Sequence, residues 1–292
     1  YSRGYSGTRQ IGSGAIFGEP QPWAILAGVP DSPQQYDTLV HNIRRFLTGI
    51  DAPAELHGPA KIGSSQSPAL TDPDVDETSF PTVPGSDNAV FVGGVWYAVN
   101  GWLTWALGHL DGIVEHASEY ALDELERNTL KAHADAYPEE WNGIVNIDDA
   151  CNSYFAAEPN VCGIGVFTLL LNINGQIAHQ PAWSQFALIK LAGIEPNAAG
   201  YDIRPRLPLA QWSLRWPRMG IAQSADVLRG YIRPEQDGAV TFTVKPRNFA
   251  VNADTPVWIN GRRASAELLD DGAIRFSGEG AAGMPLDWAV GG

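Results

Sequence analysis

Three stretches of the 292-residue sequence concentrate side chains that could do chemistry. The first carries Glu19, Gln21 and Trp23 around prolines, just ahead of an apolar segment. A carboxylate and an amide there can hydrogen-bond sugar hydroxyls, and an indole can stack on a pyranose face. A helix-start cap explains Glu19 and Gln21 equally well. The second runs from His133 through Glu140, Trp141 and Asn142 to Asp148, Asp149, Cys151 and Ser153. Acids clustered near a tryptophan supply what glycoside cleavage needs, namely proton donation, water activation and ring stacking. The bland alternative is a solvated charged face. The third is His179-Gln180 before Pro181 and Trp183, where a helix start favours an anion or a sugar hydroxyl.

Other chemistries find no support. No Walker loop, strand-borne GxGxxG, GxSxG elbow or HExxH occurs. Cys151 and Cys162 have no zinc-type partners in sequence, so no metal is expected. The two cysteines could close a small loop, worth on the order of 3 kcal/mol as a disulfide, or stay reduced; the sequence leaves both open. A net charge of −14 argues against a general affinity for nucleic acid or anionic membrane. The longest apolar run, near residues 161–173, is too short and too interrupted for a membrane span. Ten tryptophans and nine tyrosines exceed what an ordinary core requires, which makes carbohydrate an early suspect.

These stretches need elements to position them. The spacing predicts a short apolar helix over 20–28. A second starts at Asp31 or Ser32 with Pro33 and stops at Gly49. Residues 51–88, rich in Pro, Gly, Ser and Asp, read as a long irregular stretch. Residues 94–110 are apolar almost all round and predict a helix buried on every side. Amphipathic helices follow over 113–136 and 182–192. A buried helix among half-polar ones suggests the inner and outer helices of an α/α toroid. Beyond about Tyr201, strands are expected at 241–245, 257–260 and 274–277. Asp237-Gly238, Asn260-Gly261 and Asp271-Gly272 read as hairpin turns.

Taken together, the motifs resemble a known family. Arg3-Gly4-Tyr5-Ser6-Gly7, Ile11-Gly12-Ser13, Ile16-Phe17, Glu19-Pro20-Gln21, Trp23 and Leu26-Ala27-Gly28 resemble the inverting β-glucoside phosphorylases. That group includes the cellobiose, chitobiose and β-1,2-oligoglucan phosphorylases and the related domain of cyclic β-1,2-glucan synthases. Gly94-Val95-Trp96-Tyr97-Ala98-Val99-Asn100-Gly101 and residues 133–153 look most like the β-1,2-oligoglucan branch. Ala192-Gly193-Ile194, Ile203-Arg204-Pro205 and Leu207-Pro208 resemble the junction between helical barrel and β domain.

The resemblance implies a mainly α fold with a β tail. Residues 1–200 would form part of an (α/α)6 toroid, and residues 201–292 a small antiparallel β-sandwich-like domain. It implies a glycoside phosphorylase, a transferase of carbohydrate metabolism, acting on β-linked glucosides, most simply β-1,2-glucooligosaccharides. No cofactor is implied beyond inorganic phosphate as co-substrate. Glu19, Gln21, Trp23, Tyr97, Asn100, Glu140 and Trp141 would line sugar subsites. Asp148 or Asp149 would orient His133 or water, and His179 and Gln180 would face the phosphate or nucleophile. The family's general acid lies in a Trp-Asn-Asp-Gly motif, whereas Trp141-Asn142-Gly143 lacks the aspartate. The expectation is therefore that the acid comes from polypeptide upstream of residue 1, which makes an N-terminal remainder the expected partner. Ala98 stands where the cellobiose branch has a phosphate-binding histidine, and His179-Gln180 near its Thr-Gly pair. Inverting hydrolysis, transglycosylation and non-catalytic sugar binding thus stay open. The family points to the cytoplasm, and a Cys151–Cys162 bridge to a periplasmic or secreted location.

Overall fold

The computed structural model describes residues 4–6, 9–11, 18, 20–46, 97–129, 131 and 179–292. The chain divides into two compact units, Tyr1–Leu188 and Ile189–Gly292.

In the first unit a short hairpin pairs β1 (Gly4–Ser6) with β2 (Arg9–Ile11). The helices are α1 (Pro20–Leu26), α2 (Pro33–Phe46), α3 (Tyr97–His109), α4 (Ala117–Arg127) and α5 (His179–Leu191), whose last turn enters the second unit. Pro33 opens α2 in the first-turn position that needs no N–H. Ser32 caps it: Ser32 Oγ accepts from the Gln35 N–H at 3.4 Å, and Gln35 Oε1 accepts from the Asp31 N–H at 3.2 Å. Leu39, Val40 and Ile43 form the buried stripe of this helix. On α3 the residues Val99, Leu103, Ala106 and Leu107 are buried together with Asn100 and Thr104, and the helix packs on both α1 and α4.

These findings overturn the expected toroid. Besides the β1–β2 hairpin, the described residues hold five helices and two mostly antiparallel sheets of six and five strands, an α+β arrangement rather than a mainly α one. The reason lies in α3. An apolar helix surface reports burial on all sides, and a central helix in a small packed cluster satisfies that as fully as the inner wall of a ring.

The second unit begins with β3 (Ile194–Asn197) and β4 (Gly200–Ile203). Next come β5 (Trp212–Arg215), β6 (Met219–Gln223), β7 (Val227–Ile232) and β8 (Gly238–Val244). The chain finishes with β9 (Val257–Ile259), β10 (Arg262–Arg263), β11 (Glu267–Leu268), β12 (Ile274–Gly280) and β13 (Leu286–Gly291). One sheet runs β10-β9-β13-β7-β6-β5 and the other β11-β12-β8-β4-β3, with β4 and β8 parallel. Both sheets contribute to one core, where Phe242 and Trp288 meet with ring centroids 5.8 Å apart.

Turn chemistry sets several connections. Asn260 (φ 48°) and Gly261 (φ 73°) form the two-residue link between β9 and β10. Two positive φ values define the type I′ turn that matches strand twist. Asp271-Gly272 lies in the β11–β12 link, where Asp271 Oδ1 accepts from the Ala273 N–H at 3.0 Å. That bond and Arg204, 2.8 Å from Asp271 Oδ2, hold the Asp271 carboxyl below its ordinary range. Asp237-Gly238 departs from expectation. It connects β7 to β8, which belong to different sheets, so it is a crossover rather than a hairpin turn.

Candidate functional site: an aromatic wall on the helical unit

Three helices bring five aromatic side chains into one closed circuit. Trp23 on α1 lies 5.2 Å from Trp102 and 6.5 Å from Trp105, both on α3 (centroid distances). Trp183 on α5 meets Trp102 at 5.6 Å, Phe186 meets Trp105 at 5.5 Å, and Trp183 and Phe186 are 5.3 Å apart. Four of these five contacts are close to edge-on, at 78–87°. That is the arrangement the ring quadrupoles favour. Trp102/Trp105 and Trp183/Phe186 are each three residues apart on their helices, so each pair shares a face. Gly101 permits the approach of α5: a Cβ there would sit 3.3 Å from the Trp183 carbonyl oxygen. Trp23 is 44% exposed, an unusual position for so large an apolar ring, while the other four rings are half-buried.

A polar network lies on the opposite side of α3. Asn100 Nδ2 donates to Asn128 Oδ1 at 2.9 Å, and Ser184 Oγ on α5 donates to the Asn128 carbonyl at 3.0 Å. Asn128, just past α4, also reaches Glu124 Oε1 at 3.5 Å. Glu124 is 1% exposed and takes Arg127 Nη2 at 2.9 Å. Asn100 and Thr104, four residues apart and almost wholly buried, keep Oδ1 and Oγ1 without hydrogen bonds among the described residues. The network fastens α3, α4 and α5 together, which holds the wall's rings in fixed relation.

The structure places the expected site residues unevenly. Gln21 is fully buried on α1, so it faces the interior and not the exposed ring of Trp23. Asn100 is likewise interior, a link in the network. Tyr97 is the first residue of α3, and His179 and Gln180 are the first two of α5. Glu19, His133, Glu140, Trp141, Asp148, Asp149, Cys151 and Cys162 lie outside the described residues. Of the expected sugar-binding residues, Trp23 belongs to the wall. In sequence, Trp102 and Trp105 fall in the segment expected to be buried on every side, and Trp183 and Phe186 in an amphipathic one. The signal that marks them as a set is the matching three-residue spacing of aromatic pairs on two helices.

Among the described residues, no group of three or more His, Cys, Asp or Glu side chains converges as a metal site would. Among the same residues, no helix is long and apolar enough to cross a membrane. No protein-family model and no curated protein sequence matches the chain.

Proposed function

We propose that this chain is part of a carbohydrate-active enzyme that takes β-linked glucosides, with β-1,2-glucooligosaccharides as its substrate class and inverting phosphorolysis as its reaction. The observation that carries the sugar reading is the half-exposed ring of Trp23 at the head of the five-ring circuit. A flat indole braced from behind offers the low-entropy platform on which the C–H face of a pyranose stacks. The sequence motifs around Glu19-Pro20-Gln21 and Tyr97, similar to those of inverting β-glucoside phosphorylases, supply the linkage and the reaction. In this reading phosphate enters near the start of α5, where His179 and the free N–H groups of the first turn favour an anion. The proton donor lies outside the wall.

The sugar reading has a direct test. Titration of the protein with a β-1,2-glucotetraose, followed by tryptophan fluorescence, is expected to give saturable binding. Trp23→Ala is expected to weaken it about ten-fold, the equivalent of one lost stacking platform. Trp23→Phe should retain most of the affinity. Equal affinity of wild type and Trp23→Ala would remove the wall from the site.

A further inference from the structure

A concave surface also lies on the β unit, and none of its lining residues is among those expected to act on sugar. The outward face of the six-stranded sheet forms a cleft of about 780 Å³, within the range of small-ligand sites. Its floor follows from register. One row across the strands reads Arg215–Gly220–Tyr231–Asp287, and the next reads Ser213–Ala222–Arg229–Ala289–Trp258. Small residues lie between larger ones along these rows, Gly220 between Arg215 and Tyr231 and Ala289 between Arg229 and Trp258, which leaves hollows in the face.

Its chemistry is distinctive for this chain. The protein carries a net charge of −14, yet three arginines, Arg215, Arg229 and Arg233, line the cleft against one acid, Asp287. The Arg215 and Arg229 side chains make no hydrogen bond or ion pair among the described residues. Arg233 is tied down, with Nη1 donating to the Gly283 carbonyl at 3.1 Å. The Tyr231 ring occupies the space beside Gly220 that a Cβ there would need, and its hydroxyl donates to the Trp216 carbonyl at 2.7 Å. Trp258, 37% exposed, stands two strands from Arg229, about 10 Å away at ordinary strand spacing.

We infer that this cleft binds an acidic oligosaccharide, a chain of pyranose rings bearing carboxylates. Trp258 and Tyr231 supply faces for the rings. Arg229 and Arg215 supply planar forks that take a carboxylate through two parallel hydrogen bonds. Asp287 accepts from a sugar hydroxyl.

Calorimetric titration of the whole protein tests this with trigalacturonic acid, neutral cellotriose, sodium acetate and a short single-stranded DNA. The acidic trisaccharide is expected to bind at least about ten-fold more tightly than each of the others. Arg229→Gln should weaken the acidic ligand about ten-fold and leave cellotriose unchanged, while Trp258→Ala should weaken both sugars. Arg229 is exposed and unpaired, so its variant should keep the wild-type melting temperature; if it does not, Arg215→Gln reads the same loss at the far side of the cleft. Trp23→Ala should leave trigalacturonate binding intact, which separates this site from the aromatic wall. Absent binding of the acidic sugar, an equal or tighter grip on cellotriose, acetate or DNA, or unchanged affinity in both arginine variants would overturn the inference.

Discussion

Phe242→Ala is expected to cost the β unit about 3–5 kcal/mol. Phe242 has no exposed surface. It stands between Tyr201 on β4 and Phe276 on β12, its direct partners in register, with centroids 6.3 and 5.3 Å away and planes near parallel. Trp288 closes the space from the other sheet. Three rings fixed by two hydrogen-bonded sheets cannot collapse into the void, so the cavity cost adds in full to the lost burial. Phe242→Leu keeps most of the volume and should lose less than half as much. Urea denaturation followed by circular dichroism measures both. A loss under about 1 kcal/mol for the alanine variant would mean that the two sheets do not share this core.

The second large effect belongs to the helical unit. Arg127→Met is expected to destabilise it by about 3 kcal/mol, because Glu124 is a buried carboxylate and loses a charged donor. Arg127 Nη2 contacts both Glu124 at 2.9 Å and Asp123 at 3.0 Å, and Glu124 in turn supports Asn128. The double replacement Glu124→Gln with Arg127→Met should cost less than the arginine change alone, since no buried charge is then stranded. Additive losses in the thermal melts of the two single variants and the double would show that the two groups act separately.

Local signals in the sequence carried far, and global ones did not. Ser32-Pro33 fixed the start of α2 through a cap and a proline that needs no donor. Asn260-Gly261 gave a hairpin because both residues accept positive φ. By contrast, β6 and β7 hide their alternation behind Gly220, Ala222 and Gly230; the two glycines are small because the Tyr231 ring lies against Gly220, and the Trp288 ring and the β6 backbone against Gly230. Pro196 disguised β3, which tolerates it as an edge strand. Asp237-Gly238 looked like a hairpin because a turn dipeptide specifies local bending and not the sheet that receives the next strand. The apolar surface of α3 led to a ring that the helices do not form. Periodicity reports how much of a helix is covered, while the identity of its neighbours is a tertiary fact. The aromatic wall was half legible. Trp23 stood out beside Glu19 and Gln21, but its partners sit on helices distant in sequence, and Gln21 and Asn100 proved to be interior groups.

The proposed reaction is tested most directly by incubating the intact gene product with β-1,2-glucooligosaccharides, with and without inorganic phosphate, and measuring the sugars released. Phosphorolysis predicts glucose 1-phosphate, formed only when phosphate is present. Free glucose released at the same rate without phosphate, or no turnover under either condition, would contradict it.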